Sequence, residues 1–380
     1  MIDPIFSNSI QPIMEVLLSF YESIQTSPLA IQVLIISSIV HFTYNFLYLP
    51  LQSNLPLFLE FALTSVPTID VPMNDAESKD DAISTKPVSI NDVSIRNSSD
   101  PNSIHCFDPA TLQPLGKVPA MNKETVDALC NKASKAQKSW SQTTYTQRRL
   151  VLRTIQKYIL QHQEDICRVC ARDSGKPKVD ALLGEVMTTC EKIRCINQNG
   201  QEWLQPSPRP VGPMMVHKSA YVEYVPYGVL GVIAPWNYPF HNMLNHVISG
   251  LFSGNAVVSK VSEHTAWSSS YFTRIVKKAL EVHGHDSDVV QTLTGFGDCG
   301  AALVDCKYVD KIIFTGSPGV GRLVMKGASK SLKPCILELG GKDPMVFCDD
   351  VNIDVSVFSS CERLWKHIEK KEYSCFLISS

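Results

Sequence analysis

From Pro213 onward, short apolar runs alternate with amphipathic segments, and this alternation constrains the fold more than any other feature of the sequence. The stretch His264–Glu281, for example, has helical spacing and separates two such runs. The runs that predict strands are Ala220–Val225, Val229–Ala234, Ala256–Ser259, Val289–Leu293, Lys311–Phe314 and Ile336–Leu339. Strands that alternate with helices in this way are typical of a parallel sheet. We therefore predict an α/β fold.

Three helices are predicted ahead of the sheet. The first begins after Asn122, whose side chain can cap it, and its apolar residues recur at steps of three and four as far as Trp140. The spacing predicts further helices over Gln147–Arg172 and from Val179 to about Asn199.

Composition excludes several classes of protein. A length of 380 residues, 44% hydrophobic and 19% charged, fits a folded chain of two or three domains. The formal net charge of −2 gives no reason to expect a nucleic-acid partner. The 12 cysteines are too sparse for a disulfide scaffold.

Cys167 and Cys170 form a C-x-x-C motif, but no second pair of cysteines stands at the spacing of a zinc site. We interpret them as two thiols on a helix rather than as a metal or redox site. No metal is expected.

The N-terminal region 1–65 contains a candidate membrane anchor. Between Ser23 and Leu59 there is no Asp, Glu, Lys or Arg, and residues 29–51 are mostly aliphatic and aromatic. About 20 such residues can cross a bilayer as a helix, so we predict a transmembrane helix at 29–51. An apolar targeting peptide and a core helix covered by a partner are the alternatives. A secretory signal normally opens with positive charge, whereas the first lysine here is Lys79.

Positively charged residues after the anchor predict its orientation. Lys79, Lys86 and Arg96 favour the large domain on the cytosolic side, and the predicted location is a membrane of the endoplasmic reticulum or secretory pathway. Residues 66–101 are rich in Asp, Ser, Asn and Pro and predict a solvated polar linker.

Polar residues and glycines follow the predicted strands, where parallel sheets bind ligands. In chain order they are Pro235-Trp236-Asn237, Lys260 with Glu263, Gly295-Phe296-Gly297, the segment from Thr315 to Gly321, and Glu338 to Gly341. Each motif alone is weak, because glycines mark any tight turn, and the segment Gly316–Gly321 lacks the Lys-Ser/Thr ending of a Walker loop. Their order along the chain indicates a functional site.

Four segments resemble, in order, the signatures of the aldehyde dehydrogenase superfamily. They are Val225–Phe240 (VPYGVLGVIAPWNYPF), Gly254–Lys260 (GNAVVSK), Phe314–Ser317 (FTGS) and Leu337–Pro344 (LELGGKDP). The resemblance covers about Ile104 to Val357, and the upstream anchor resembles a membrane-tethered branch known in plants. It implies a doubly wound, Rossmann-like parallel sheet of the aldehyde dehydrogenase type after the N-terminal helical anchor. Residues 102–357 would be its NAD-binding domain.

The resemblance also implies a reaction, the NAD(P)-dependent oxidation of an aldehyde to a carboxylic acid. Enzymes of this family add a thiolate to the carbonyl, pass hydride to the nicotinamide and hydrolyse the resulting thioester. Asn237 matches the family's amide donor to the oxyanion. Glu338 matches its general base.

Cofactor contacts are implied at further positions of this sequence. Lys260 and Glu263 match residues that hold the adenosine ribose, and a carboxylate at Glu263 would repel a 2′-phosphate, so NAD is expected rather than NADP. Ile233, Ala234, Pro235 and Trp236 match the lining of the cofactor cleft, and Gly295 matches the adenine end. Phe314 and Leu339 also match cofactor positions. Gly316, Ser317 and Gly321 would lie at the start of the helix whose N-terminus binds the pyrophosphate.

The predicted resemblance stops at about Val357, before the family's Gly-Gln-x-Cys nucleophile segment. The divergent tail 358–380 contains neither Gly nor Gln. We expect neither Cys361 nor Cys375 to be the nucleophile, and we expect a replaced or truncated C-terminus. Apolar surface left uncovered would favour a homo- or hetero-oligomer. The alternative function is a catalytically inactive NAD-binding protein with a regulatory or interaction role.

Overall fold

The structure is a computed structural model that describes residues 64–74, 77, 93–341, 344–347 and 375–378. The chain divides into two compact units, Met1–Ser65 and Val66–Ser380, and the elements below belong to the second. The predicted transmembrane helix at 29–51 lies outside the described residues. Among the described residues, no helix combines the length and apolar character needed to cross a membrane.

The helices begin and end as follows. They are α1 (Lys123–Trp140), α2 (Tyr145–Gln161), α3 (Gln163–Ser174), α4 (Lys178–Ala181), α5 (Thr188–Trp203), α6 (Pro239–Phe252), α7 (Ala266–Val282), α8 (Gly297–Asp305) and α9 (Pro318–Ser329). A π-helical segment, Leu182–Met187, joins α4 to α5.

The strands fall into one large and three small sheets. They are β1 (Ser103–Phe107), β2 (Pro114–Pro119), β3 (Ser207–Arg209), β4 (Ala220–Val222), β5 (Val229–Ile233), β6 (Ala256–Lys260), β7 (Val290–Leu293), β8 (Lys311–Gly316), β9 (Cys335–Leu339), β10 (Pro344–Phe347) and β11 (Cys375–Ile378). The large sheet is parallel, with strand order β7-β6-β5-β8-β9. The pairs β1-β2 and β3-β4 are antiparallel, and β10 pairs with β11 in parallel.

The sheet is doubly wound, which confirms the predicted α/β class. From β5 the chain proceeds through β6 to β7, and then returns to the other side of β5 to form β8 and β9. Helices α6 and α7 pack together with α2 and α5, whereas α1, α8 and α9 form a second group. The crevice between the carboxyl ends of β5 and β8 is therefore the topological switch point, where sheets of this type bind ligands.

The predicted helices are confirmed with revised limits. The Asn122 side chain accepts a hydrogen bond from the Thr125 N–H and caps α1, as predicted. The single helix predicted over Gln147–Arg172 is two helices, because the chain leaves helical geometry at His162. The third predicted helix also extends further than its apolar spacing indicates, from Lys178 to Trp203, with the π-helical segment inside it.

One predicted strand belongs elsewhere. Ala220–Val225 is not part of the parallel sheet, because only β4 is a strand there and it pairs with β3. Its residues are exposed, and Tyr221 keeps 62% of its surface in water. The central strands of a parallel sheet are buried on both faces, whereas an antiparallel ribbon can face water.

The predicted polar linker is packed in its first part. Ile69 and Val71 are buried against the helices. The Glu77 carboxylate is also buried and forms an ion pair with Arg274 at 2.6 Å. At these positions the chain is therefore not a solvated linker, because two apolar side chains gain stability by burial despite the polar composition around them. Residues 78–92 lie outside the described chain.

Candidate active site

The residues that follow the parallel strands lie side by side at one edge of the sheet. Ile233 at the end of β5 pairs with Lys260 on one side and with Phe314 on the other. Phe314 in turn pairs with Leu337, and Gly316 pairs with Leu339. The Ala234 N–H donates to the Lys260 carbonyl at 3.0 Å, which extends the pairing past the strand ends. The register thus brings the predicted residues of β5, β6, β8 and β9 to one edge.

Lys260 and Glu263 form a charged pair at the end of β6. The Lys260 Nζ lies 3.0 Å from Glu263 Oε2, and Lys260 is only 6% exposed. Partial burial raises the pKa of Glu263, but Lys260 and a backbone N–H outweigh it, so the pKa is lowered overall. The carboxylate is therefore ionised at neutral pH, with lone pairs available to accept hydrogen bonds from hydroxyl groups.

A helix begins at the end of β8 with small residues in close contact. The Ser317 hydroxyl caps α9 by accepting from the Val320 N–H at 3.5 Å, and Pro318 occupies the first turn. A Cβ on Gly316 would lie 2.7 Å from the Phe314 ring, and one on Gly321 would lie 2.6 Å from Leu339. This tight turn directs the helix N-terminus, which favours anions, towards the switch point.

Gly295 follows β7 in a buried turn. A Cβ there would lie 2.5 Å from the Cβ of Cys299 on α8. The Thr294 carbonyl accepts from Met121 N–H at 2.8 Å, which ties the turn to the segment before α1. Gly295 therefore lies one strand beyond Lys260, further from the switch point than the residues of β5 and β8.

Asn237 is held at both its backbone and its side chain. Lys176 Nζ donates to the Asn237 carbonyl at 2.7 Å, and Asn242 Nδ2 donates to Asn237 Oδ1 at 2.9 Å. With Oδ1 occupied as an acceptor, the Asn237 Nδ2 hydrogens remain available as donors. Trp236, next to it, keeps 38% of its surface exposed.

Glu338 lies on the outermost strand of the sheet. Glu338 pairs with Thr315 of β8, and the Glu338 side chain is exposed. The sheet therefore separates Glu338 from Asn237 by one intervening strand, β8, with all three strand ends on the same edge.

Several described thiols are unsuited to nucleophilic attack. Burial raises the pKa of Cys106 to about 12 and the pKa values of Cys167, Cys190 and Cys299 to about 11. At neutral pH these thiols are protonated, whereas the thiolate is the nucleophilic form. Cys375, which we do not expect to be the nucleophile, begins β11, where its backbone pairs with Pro344.

A cavity of about 520 Å³ adjoins the charged pair and includes Trp236, Glu263 and Asp173 in its lining. Asp173 is 2% exposed and accepts from the Ser268 N–H at 2.9 Å. Burial raises its pKa to about 7 despite this hydrogen bond. Among the described residues, no cluster of three or more His, Cys, Asp or Glu side chains could hold a metal ion.

Sequence reasoning missed Lys176 and Asn242, which bind Asn237, and Glu185, which pairs with Lys176. The Glu185 carboxylate is fully buried and pairs with Lys176 at 2.5 Å. A local signal for Lys176 exists, because it stands between Gly175 and Pro177 in a tight turn after α3. Its partner Glu185 could not be found from α-helical spacing, since Glu185 lies inside the π-helical segment Leu182–Met187.

The site suits an adenine dinucleotide. An amine and an ionised carboxylate at the end of β6 match ribose hydroxyls. Gly316 and Gly321 leave no room for a Cβ, and the α9 N-terminus supplies N–H groups for phosphate. The half-exposed Trp236 face can cover a flat ring. Lys260, Glu263, Gly316 and Ser317 would thus hold such a cofactor.

The chain resembles proteins of one family. The profile of the "Aldehyde dehydrogenase family" matches residues 95–367, which extends past Val357, the predicted end of the resemblance. An aldehyde dehydrogenase-like protein of Saccharomyces cerevisiae is 42% identical over 270 residues, covering 68% of this chain and 42% of that protein. The Saccharomyces cerevisiae aldehyde dehydrogenase (NAD(P)+) 1 is 32% identical over 263 residues, covering 68% and 51%. The chain thus spans about half the length of these curated relatives.

Solved structures show the same fold. An aldehyde dehydrogenase from Brucella melitensis biovar abortus 2308 superposes with a TM-score of 0.64 at 26% identity, covering 71% of this chain and 54% of that chain. The NAD+ complex of an aldehyde dehydrogenase from Bacillus cereus gives a TM-score of 0.60 at 28% identity, covering 67% and 51%. Sequence profile, relatives and fold agree, and the protein belongs to the aldehyde dehydrogenase family.

Proposed function

We propose that this chain binds NAD at the carboxyl edge of its parallel sheet and supplies part of the machinery that oxidises an aldehyde to a carboxylic acid. The observation that carries the proposal is the arrangement at the switch point. Asn237 follows β5, the pair of Lys260 and Glu263 follows β6, and the glycine turn into α9 follows β8. Family membership supports the reaction class.

Each of these groups has a chemical task in the proposal. Lys260 and Glu263 hold the adenosine ribose, and the N–H groups of the first turn of α9 hold the pyrophosphate. Bound NAD would supply the acceptor for the hydride that leaves the substrate carbon. Asn237 Nδ2 donates a hydrogen bond to the oxygen that gains negative charge. Glu338 accepts a proton from the attacking nucleophile or water.

We further propose a preference for NAD over NADP. The support is Glu263, whose ionised carboxylate accepts from ribose hydroxyls and repels a 2′-phosphate. Neither the aldehyde nor the nucleophile is part of this proposal, because no described residue specifies them.

The binding proposal is tested by titrating the purified chain with NADH and following nicotinamide fluorescence. Lys260→Ala should weaken NADH binding about tenfold, the equivalent of one charge-assisted hydrogen bond. The matched control is Lys311→Ala at the opposite end of β8, where the ammonium lies 4.4 Å from the Tyr227 ring centroid. Equal NADH affinities of the Lys260 and Lys311 variants and the wild type would contradict the assigned site.

A catalytically inactive NAD-binding protein is the second candidate function. The observation in its favour is the burial that raises the pKa values of Cys106, Cys167, Cys190 and Cys299 and leaves these thiols protonated. NADH binding without aldehyde-dependent NADH formation would support this candidate. Turnover with any aldehyde would exclude it.

The membrane anchor also enters as a proposal. We propose that residues 29–51 tether the chain to a membrane of the secretory pathway with the large domain in the cytosol. Support comes from the stretch Ser23 to Leu59, which contains no charged residue. When membranes of cells that express the full-length chain are washed with alkaline carbonate, the protein should stay in the membrane fraction. Release of the protein into the supernatant would contradict the anchor.

A further inference from the structure

A buried ion pair lies beside the loop that carries Asn237. Lys176 Nζ and Glu185 Oε1 are 2.5 Å apart, with side-chain exposures of 8% and 0%. Burying two charges is costly, and such pairs are often no more stabilising than apolar side chains of the same volume. Stability alone therefore does not account for the pair, and its contacts indicate a second role.

Both members of the pair bind the loop after β5. Lys176 Nζ donates to the Asn237 carbonyl at 2.7 Å and lies 3.9 Å from the centroid of the Tyr238 ring. Glu185 Oε2 accepts from the His241 N–H at 2.8 Å, in the first turn of α6. The pair thus fixes the loop at two points, one on each side of Tyr238 and Pro239.

The π-helical segment directs Glu185 towards this loop. Gly184 packs so closely on Tyr238 that a Cβ there would overlap the ring. His241 is held in addition by the hydroxyl of Thr189, whose Oγ1 lies 3.1 Å from Nδ1. A local departure from α-helical geometry of this kind is frequent at functional sites.

The Asn237 amide is oriented by a third contact. Asn242 Nδ2 donates to Asn237 Oδ1 at 2.9 Å, so the amide nitrogen points the other way. The orientation follows from the hydrogen-bond network, because amide oxygen and nitrogen are distinguished by their partners. Backbone and side chain of Asn237 are therefore both fixed before any substrate arrives.

We propose that Lys176 and Glu185 are positioning residues that hold the Pro235–Tyr238 loop in the geometry required for cofactor binding and for the Asn237 amide to meet the reacting oxygen. This role rests on the proposed function, since it assigns a task to the wall of the same cleft. It goes beyond that function by assigning a task to two charged residues whose hydrogen bonds join them to each other, to the Asn237 carbonyl and to the His241 N–H.

The test separates positioning from stability by using single and double variants. Lys176→Met leaves Glu185 buried and unpaired, so both the melting temperature and the NADH affinity should fall, the latter about tenfold. In Lys176→Met/Glu185→Gln no buried charge is left unpaired, so most of the melting temperature should return. The NADH affinity should stay low, because the donor to the Asn237 carbonyl is still missing.

Three results would bear on the proposal. Recovery of the melting temperature without recovery of the NADH affinity supports the positioning role. Recovery of both the melting temperature and the NADH affinity in the double variant would overturn the proposal. So would an NADH affinity that neither variant changes. Lys178→Met is the matched control, because Lys178 is exposed two residues away, and it should leave both quantities unchanged. If the wild-type chain itself bound no NADH, the proposed function would fail first, and this outcome is visible before any variant is made.

Discussion

Replacing Asp173 with asparagine should stabilise the protein at pH 8 by roughly 4 kcal/mol and leave its stability nearly unchanged at pH 4. The cause is burial, which raises the pKa of Asp173 from 3.8 to about 7 in the folded chain. Below pH 3.8 the carboxyl is protonated in both the folded and unfolded states. Between pH 3.8 and 7 the folded state binds more protons, so stability falls as the pH rises. Above pH 7 the full penalty applies.

The measurement is the free energy of unfolding in urea for the wild type and Asp173→Asn across pH 4 to 8. Other groups titrate in the same range, and burial lowers the pKa of His246 to about 4, for example. These groups are common to both proteins and cancel in the difference. A difference between the two proteins that stays constant with pH would show that Asp173 is ionised throughout.

Replacing Asn237 with alanine should lower kcat for aldehyde-dependent NADH formation by about 10²–10³, the usual loss when an oxyanion donor is removed. The NADH affinity should change little, because in the proposed arrangement the Asn237 amide donates to the reacting oxygen and not to the ribose. Steady-state NADH formation at saturating aldehyde, combined with an NADH titration of the same protein, measures both quantities.

The control for this substitution is Asn245→Ala, on the same helix as Asn242 but without a contact to Asn237 among the described hydrogen bonds. An unchanged kcat for Asn237→Ala would contradict the assigned role. A loss of NADH affinity as large as the loss of kcat would instead place the side chain in the cofactor site. Absence of turnover in the wild type would favour the inactive NAD-binding protein.

The central parallel strands β5 and β6 were predictable because they are buried on both faces. Such strands are continuous apolar runs, and Val229–Ala234 and Ala256–Ser259 match β5 and β6 to within one residue. Once the strands are known, the edge that carries Asn237 and Lys260 follows, because all carboxyl ends of a parallel sheet meet there. Their assigned chemical roles remain predictions.

The contacts that orient Asn237 were not predictable from local patterns. Lys176 is 61 positions away in sequence, and Glu185, which pairs with Lys176, lies inside a π-helical segment. Periodicity at 3.6 residues gives no indication of such a segment. Pairing over this distance is a property of tertiary packing, which single-residue propensities do not contain.

Polar composition also misled the prediction for residues 66–101. Ile69 and Val71 are buried although their neighbours are polar, because two well-placed apolar side chains are enough to fix a segment to the core. The hairpin of β1 and β2 was also missed. Its strands mix buried residues with half-buried and exposed ones, so they do not form the continuous apolar runs of the central parallel strands.

The location of bound NAD tests the account most directly. A crystal structure of the full chain grown with saturating NAD should show the adenosine ribose within hydrogen-bonding distance of Lys260 and Glu263, the pyrophosphate at the first turn of α9, and the nicotinamide near Asn237. NAD bound elsewhere on the chain, or a cleft without NAD at that concentration, would contradict the account.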